Sequence, residues 1–330
     1  MRRSRTILNY LLIATVVFLI LGCATKPRSR SNVANAKLRA TATEYFIKPQ
    51  ETDPQIDDWL EPHYIAFDSS VAAKNKLFLF LPGSYGKPAR QRLINQEAAQ
   101  LGYHAINLHY PNSATVADLC NRSRDPNCHE KLRQEIIDGV DRSPVVDISS
   151  ANSITNRLTR VLVYLEQQQP EQGWGQYLEN GSPKWDSIVV AGHSQGSGHA
   201  AMIAHQHEVA RVVMLGGIAD YSRFLKRIAP WLSKPHATPA ERFYGFVHSR
   251  DRGVNRILKA WELLGMSAYG EPVNIDQLQA PYNGSHQLIT SAQPGSPRKY
   301  HGSVATDHST PINADGTPKF AAAWRYLLDF

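Results

Sequence analysis

The sequence predicts an α/β fold in which helices cover both faces of a mostly parallel central sheet. Short apolar runs that end in turn residues alternate with segments of helical spacing along most of the 330 residues. Such alternation is typical of strand–helix–strand units that build a parallel sheet. A G-x-S-x-G motif stands between one apolar run and the helix that follows it. The chain is 42% apolar and 20% charged, so it is an ordinary globular sequence, long enough to bury a core.

The apolar runs are the predicted strands, and the segments of helical spacing are the predicted helices. The strands cover residues 76–81, 104–108, 187–191, 211–215, 242–247 and 286–290, and the helices cover residues 90–100, 153–169, 197–206, 254–264 and 319–328. Residues 113–150 have weak periodicity and contain Pro126 and Pro144, which indicates an inserted, lid-like segment over the sheet and outside its core. The folded domain is predicted to cover residues 44–330, with its first ordered element near Tyr45 or Trp59.

The first 22 residues have the pattern of a signal peptide. Arg2, Arg3 and Arg5 precede an apolar run over residues 10–21, which is too short to cross a membrane comfortably. Residues 23–43 are rich in small, polar and basic residues and have no hydrophobic period. We expect them to form a flexible tether between the N-terminus and the folded domain.

The end of this segment, Ile20-Leu21-Gly22-Cys23, resembles a bacterial lipobox. The resemblance implies that Cys23 is lipidated and becomes the mature N-terminus, since acyl chains bury enough CH₂ groups to hold a protein on a bilayer. The protein would then be a lipoprotein of the cell envelope that faces the extracytoplasmic side. The alternative is a signal anchor that is not cleaved.

The net charge of +7 comes from the N-terminal segment. Residues 1–43 contain eight Lys or Arg and no Asp or Glu, and subtracting these eight charges from +7 leaves −1 for the rest of the chain. The basic residues after Cys23 would lie beside lipid headgroups, where each can strengthen binding to an anionic leaflet. A nucleic-acid partner is not expected, because that function needs a basic face on the folded body.

Two further cysteines, Cys120 and Cys128, flank a polar segment without strand or helix pattern. In an exported protein such a pair is typical of a disulfide bond, and two free thiols are the alternative. No metal site is predicted, because Cys120, Cys128 and His129 are too few for tetrahedral zinc and no H-E-x-x-H spacing occurs. No cofactor is expected either.

The motif Gly192-His193-Ser194-Gln195-Gly196 follows a predicted strand and begins a helix of small residues. This context predicts a nucleophile elbow, a strained turn that exposes its serine at the edge of the sheet. The two glycines remove Cβ atoms that would clash in such a turn. Ser194 is therefore the candidate nucleophile, and the backbone N–H of Gln195 is a candidate oxyanion donor. The alternative is a Gly/Ser loop that leads into a helix.

Residues 59–330 resemble the α/β-hydrolase superfamily, and within it a group of largely uncharacterised secreted bacterial members. The resemblance is carried by the phrases at residues 81–83, 107–112 and 190–196, and it spans nearly the whole mature chain. It implies the α/β-hydrolase fold and a serine-hydrolase reaction class, and it leaves the substrate open.

In this superfamily the triad follows the chain order serine, acid, histidine. Asp251 follows the strand at 242–247 and is the first candidate acid, while Asp220, one strand earlier, is its competitor. His301 and His308 both lie between the last strand and the C-terminal helix, and His301 is preferred because the small residues after it leave its ring room to turn. The second oxyanion donor is expected from the loop after the first strand, at the backbone N–H of Ser84 or Tyr85.

The function that these residues predict is hydrolysis of an ester-like acyl bond by a Ser-His-Asp mechanism, on a small-molecule or lipid-like ester. Two alternatives stay open: a peptidase or acyltransferase with the same triad, and a catalytically silent binding lipoprotein on the same scaffold. The protein is expected to be a monomer that contacts the membrane through its N-terminal lipid.

Overall fold

The computed structural model describes residues 42–329, and a nine-stranded sheet forms the centre of this part of the chain. The predicted signal peptide, Cys23 and nearly all of the predicted tether lie outside the described residues. In chain order the strands are β1 (Thr43–Ile47), β2 (His63–Phe67), β3 (Leu77–Leu81), β4 (His104–Asn107), β5 (Ile188–His193), β6 (Arg211–Leu215), β7 (Phe243–His248), β8 (Val273–Asn274) and β9 (Gln287–Thr290).

The strand order across the sheet is β1-β2-β4-β3-β5-β6-β7-β9-β8. The seven strands from β4 to β8 in this order are mutually parallel, whereas β2 runs antiparallel to β4 and to β1. Two short antiparallel pairs lie outside this sheet, Tyr221–Ser222 with Arg227–Ile228 and Leu178–Glu179 with Ser182–Pro183. The carboxyl ends of the parallel strands therefore meet at one edge, where a crevice can form.

The α-helices are α1 (Pro49–Thr52), α2 (Arg92–Gln100), α3 (Val116–Cys120), α4 (Cys128–Asp138), α5 (Ile154–Gln168), α6 (Gln195–Gln206), α7 (Val254–Leu263) and α8 (Ala321–Leu328). They form two cores, one on each face of the sheet. Alternate residues of β3 show this division, because Leu77, Leu79 and Leu81 pack with α4, α5 and α6, whereas Phe78 and Phe80 pack with α2 and α8. The two-sided burial explains why the central strands are continuous apolar runs.

The predicted strands and helices agree with these bounds to within one or two residues. The long amphipathic helix begins where Ser153 accepts a hydrogen bond from the backbone N–H of Asn156 at 3.2 Å, an N-cap that fixes its first turn. The first strand of the described residues, β1, begins at Thr43, close to Tyr45, the earlier of the two predicted points.

The segment at residues 113–150 differs from its prediction in one respect. It does supply residues to the cavity described below, but α4 also packs against α5 and α6, and Leu132 and Ile136 are fully buried in the core. The expectation that the segment lies outside the core was therefore wrong for α4. The weak sequence period arises because buried polar residues, including Arg133, interrupt the apolar face of this helix.

Cys120 and Cys128 are joined by a disulfide, as predicted. The bond links the end of α3 to the start of α4 and thereby fixes where α4 begins. Over residues 42–329, none of the helices combines the length and the apolar character that a membrane span requires.

The order of the strands, the antiparallel β2, and the sharp turn between β5 and α6 together make this an α/β-hydrolase fold. The fold class predicted from the sequence is confirmed.

Candidate active site

Ser194 lies at the turn between β5 and α6 and has φ 55° and ψ −114°. A positive φ is costly for a residue with a side chain, and it is found where the surrounding structure enforces it. The flanking glycines permit the turn, since a Cβ on Gly192 would lie 2.2 Å from the carbonyl carbon of Gly196, and one on Gly196 would lie 2.0 Å from the carbonyl oxygen of Leu81. The steric reason for the motif is thus visible in the structure.

Hydrogen bonds hold the turn from the neighbouring strand. The backbone N–H of Ser194 donates to the carbonyl oxygen of Leu215 at 2.8 Å. The buried hydroxyl of Ser197 lies 2.7 Å from the carbonyl oxygen of Gly192 and 3.0 Å from that of Leu215. The strained serine is therefore anchored at the end of β6, with its own hydroxyl free of hydrogen bonds to the described residues.

A cavity of about 1040 Å³ opens at this edge of the sheet. The sequence-predicted residues that line it are Ser84, Ser194, Gln195, Asp220, Asp251, His301 and His308. Tyr85 is absent from the lining and is exposed. The structure thus gathers residues from five separate parts of the chain around the Ser194 turn.

Within this cavity the His301 ring is paired with Asp251. The Nδ1–H of His301 donates to Oδ2 of Asp251 at 2.6 Å, and the other carboxylate oxygen of Asp251 accepts from the backbone N–H of Gly253 at 2.7 Å. Burial raises the pKa of the Asp251 carboxyl, but the hydrogen bond from His301 and the nearby charge lower it by more, so it stays below its usual value. Asp251 is therefore an ionised partner that fixes the imidazole orientation and leaves Nε2 available.

The position of His301 is set by two contacts near Ser194. A Cβ on Gly216, the residue after β6, would lie 3.5 Å from the His301 ring, so the imidazole rests against the strand end that also anchors Ser194. The ring Nε2–H of His193 donates to the backbone carbonyl oxygen of His301 at 3.0 Å. Burial lowers the pKa of His193 to about 3, so this ring is a neutral, fixed donor. Sequence reasoning missed this role of His193, whose signal is its place inside the motif.

His308 also lines the cavity, but its ring has no hydrogen bond to Asp251 or Asp220. Its neighbour Asp307 points elsewhere, since its carboxylate accepts from the backbone N–H groups of Arg92 and Leu93 at 2.9 and 3.2 Å. Asp307 therefore caps the N-terminus of α2. Of the two candidate histidines, only His301 has a carboxylate partner.

The competing acid, Asp220, is engaged by Arg133. The guanidinium donates through Nε to Oδ2 at 2.8 Å and through Nη2 to Oδ1 at 2.5 Å, and the indole N–H of Trp231 donates to Oδ2 at 3.0 Å. Burial raises the pKa of Asp220, but the Arg133 charge and hydrogen bonds lower it by more and hold it well below its usual range. With three donors on its carboxylate, Asp220 has no bond to a histidine in the described structure.

Arg133 was not predicted as a site residue, yet it reaches the elbow. Its Nη1 donates to the backbone carbonyl oxygen of Gln195 at 3.1 Å, and its side chain is almost fully buried. Gly198 leaves the space for this guanidinium, because a Cβ at Gly198 would lie 2.1 Å from the guanidinium carbon. The small residue in α6 thus makes room for Arg133. A buried Asp that needs a cation was the signal that could have found Arg133.

The oxyanion donors can be compared directly. The N–H of Gln195 is the first in α6 and has no partner within the helix, and the positive end of the helix dipole favours an anion there. The Gln195 side chain also braces the opposite loop, since its Oε1 accepts from Ser84 Oγ at 3.0 Å. The Tyr85 N–H already donates to the carbonyl oxygen of Asn112 at 3.3 Å. Ser84 is consequently the better placed of the two predicted loop donors, and the alternative at Tyr85 is disfavoured.

Among residues 42–329, no three His, Cys, Asp or Glu side chains come together in a way that could hold a metal ion. The arrangement places a serine hydroxyl, an oriented imidazole and a free helix amide at one cavity wall.

No protein family model matches this sequence, and no curated protein matches it either. Among solved structures, similarity is found to a proposed dienelactone hydrolase from Klebsiella pneumoniae, with a TM-score of 0.42 and 11% identity, covering 88% of this chain and 99% of that chain. An esterase from Pseudomonas putida gives 0.39 and 14%, covering 87% and 80%, and esterase B from Lactobacillus rhamnosis gives 0.38 and 13%, covering 76% of each chain. These TM-scores are below 0.5, so the fold assignment rests on the strand order and the elbow.

Proposed function

We propose that this protein is a serine hydrolase that cleaves an ester-like acyl bond. The observation that carries the proposal is the 2.6 Å hydrogen bond between His301 and Asp251 in the same cavity as the strained Ser194. A serine is a weak nucleophile unless a base takes its proton, and the base works when a third group orients it. The three residues also occur in the chain order that α/β-hydrolases use.

In the proposed mechanism Ser194 Oγ bonds to the carbonyl carbon while its proton passes to Nε2 of His301. The N–H groups of Gln195 and Ser84 stabilise the oxyanion, each by about 3 kcal/mol. The carbon–oxygen bond of the ester then breaks, and the leaving alcohol takes the proton from His301. Water repeats the sequence on the acyl-enzyme and releases the acid. Asp251 stays ionised throughout and holds the imidazole.

Labelling with a fluorophosphonate probe tests the proposal. The wild-type protein should form an adduct on the peptide that contains Ser194, and Ser194→Ala should form none. Ser249→Ala is the control, because Ser249 is exposed and lies outside the cavity, and its hydroxyl pairs with that of Ser291. Full labelling of Ser194→Ala would show that the nucleophile is elsewhere, and an unlabelled wild type would favour a silent binding protein.

A substrate panel then separates the reaction classes. Esters, amides and acyl acceptors should be compared at matched acyl groups, and we expect ester hydrolysis to be fastest because an alcohol needs less activation than an amine to leave. Faster amide cleavage would indicate a peptidase, and acyl transfer to an acceptor over water would indicate an acyltransferase.

For the location, we propose a lipid anchor at Cys23 in the cell envelope, supported by the lipobox-like sequence alone. Mass spectrometry of the mature protein should find a lipidated Cys23 at the N-terminus, and Cys23→Ser should release the protein from membranes. An intact Met1 terminus would instead support the signal anchor.

A further inference from the structure

The loops that carry Asp251 and His301 also carry a group of cations. Arg250 and Arg252 stand on either side of Asp251, and Arg298 and Lys299 come just before His301. All four residues are exposed, and all four line the cavity that contains Ser194. We call these four residues the cationic rim.

The positive charges of the rim outnumber the carboxylates of the cavity lining. Within residues 42–329 none of the four side chains forms an ion pair. Arg250 contacts Tyr300, donating to its hydroxyl at 3.1 Å and lying over its ring. The two acidic residues of the lining are already occupied, Asp220 by Arg133 and Asp251 by His301. Asp220 is paired with the charge of Arg133, so Asp251 is the one further carboxylate of the lining, and the four positive charges of the rim outnumber it.

The charge of Lys299, one of the four rim residues, acts on a histidine of the same cavity. Burial lowers the pKa of His308, and the like charges of Lys299 and Arg90 lower it further. A concave site lined by one sign of charge focuses its field inward, which raises the local concentration of the opposite charge. Arginine also binds carboxylates and phosphates through two parallel hydrogen bonds, which gives orientation as well as attraction.

We propose that the substrate of this site is an ester that carries an anionic group, a carboxylate or a phosphate, which the cationic rim binds while Ser194 attacks the ester carbonyl. This inference rests on the proposed hydrolase function and names the substrate class for the same site. The rest of the chain after residue 43 has a net charge of −1, so the excess of positive charge at this cavity is local.

A pair of matched esters tests the inference with the full-length protein in a non-ionic detergent. The 4-nitrophenyl monoester of glutaric acid carries a free carboxylate, and its methyl-capped analogue is neutral with the same reacting bond. We expect kcat/KM to favour the anionic ester by about tenfold at about 20 mM salt, and the preference to fall toward one near 0.5 M salt as the charges are screened. A third ester with a phosphate in place of the carboxylate shows which anion the rim prefers.

Variants then assign the preference to the rim. Arg252→Gln and Lys299→Gln should each lower the anionic-to-neutral ratio about two- to fivefold, the range of exposed charge pairs, and the double variant about tenfold. The ratio is measured because a general loss of activity cancels in it. Lys319→Gln, an exposed cation outside the cavity, is the matched control and should keep the wild-type ratio.

The possible outcomes distinguish failure of the anionic-ester inference from failure of the proposed hydrolase function. A neutral ester that is turned over as well as the anionic one, at every salt concentration, would overturn the inference and leave ester hydrolysis standing. A preference that survives in the double variant would also overturn the role of the rim. If neither ester is turned over and Ser194 takes no fluorophosphonate label, the proposed function and this inference both fail.

Discussion

Asp220 and Asp251 invite comparison because they occupy similar places and have different partners. Each follows a central parallel strand, β6 or β7, each lines the same cavity, and each is nearly fully buried, at 4% and 6% exposure. Each carboxyl also has a pKa below its usual value. Position, burial and pKa therefore do not distinguish them, and either could have been the acid of a triad.

The difference lies in what each carboxylate binds. Asp220 is held by a guanidinium whose side chain is 4% exposed and which never gives up its proton in a protein. Asp251 is held by the imidazole of His301, whose side chain is 47% exposed and whose Nε2 is left to accept a proton from a nucleophile. We infer that the first pair stabilises the fold beneath the elbow and that the second serves the reaction.

The largest expected effect comes from removing the base. His301→Ala should lower kcat for an ester by about 10⁴-fold or more, because triad residues act as a unit. His308→Ala should change kcat less than about tenfold, since its ring has no carboxylate partner. Steady-state turnover of both variants, each checked for folding by circular dichroism, makes the comparison.

The opposite pattern, in which His301→Ala keeps most activity and His308→Ala loses it, would show that the Asp251–His301 pair is not the working pair. If both variants lose turnover, His308 also supports the reaction, contrary to its assignment here.

The next largest effect is on stability and concerns the Arg133–Asp220 pair. Arg133→Ala leaves the buried Asp220 carboxylate without its cation, so the free energy of unfolding should fall by about 3–5 kcal/mol. Arg223→Ala, at an exposed arginine without an ion pair, should change it by less than about 0.5 kcal/mol. Urea denaturation measures the free energy of unfolding of both variants. If Arg133→Ala is as stable as Arg223→Ala, the Arg133–Asp220 pair does not anchor the fold.

The disulfide bears on the same pair, because it fixes the start of α4, the helix that carries Arg133. The double variant Cys120→Ala/Cys128→Ala should lose about 2 kcal/mol, as expected for a short closed loop. Reduction of the wild type should destabilise it by a similar amount. If reduction leaves the free energy of unfolding of the wild type unchanged, the contribution assigned to the disulfide is contradicted.

The smallest effect is a pH dependence. The folded pKa of Asp220 lies below its unfolded value near 4, so its contribution to stability is present above pH 4 and is lost as the pH falls through the folded pKa. Replacing the pair by Met at 133 and Leu at 220 removes this contribution. The unfolding free energy of that variant should then fall less steeply below pH 4, by up to about 1.4 kcal/mol per pH unit for the one proton involved. If the unfolding free energies of the wild type and the variant fall equally steeply below pH 4, the stabilising contribution assigned to Asp220 is contradicted.

The sequence predicted the elements of the fold because their signals are local. Within residues 42–329, apolar runs and helical spacing identified six of the nine strands of the main sheet and five of the eight α-helices to within one or two residues, whereas β1, β2, β8, α1, α3 and α4 were not predicted. The glycines around Ser194 identified the elbow from sterics that the structure reproduces. The disulfide followed from the scarcity of cysteines.

The choice between paired candidates could not be made from the sequence. Asp220 and Asp251, like His301 and His308, differ in which way a loop turns its side chain, and that depends on residues distant in the chain. Arg133 is 87 residues from Asp220, and His193 is 108 residues from the His301 carbonyl that it holds. The motif draws attention to His193 and an acidic residue calls for a cation, but neither signal names a partner so distant in the chain, so both contacts were found only in the structure.

The most direct test of the account is the activity per folded molecule of Asp251→Asn compared with Asp220→Asn. Asp251→Asn should lower kcat by about 10³- to 10⁴-fold with little change in stability, because the imidazole loses the carboxylate that orients and balances it. Asp220→Asn should lower the unfolding free energy by about 3 kcal/mol yet keep kcat within about tenfold, once corrected for the folded fraction. A variant pair in which Asp220→Asn abolishes turnover while Asp251→Asn retains it would contradict the assignment of Asp251 to the reaction and Asp220 to the fold.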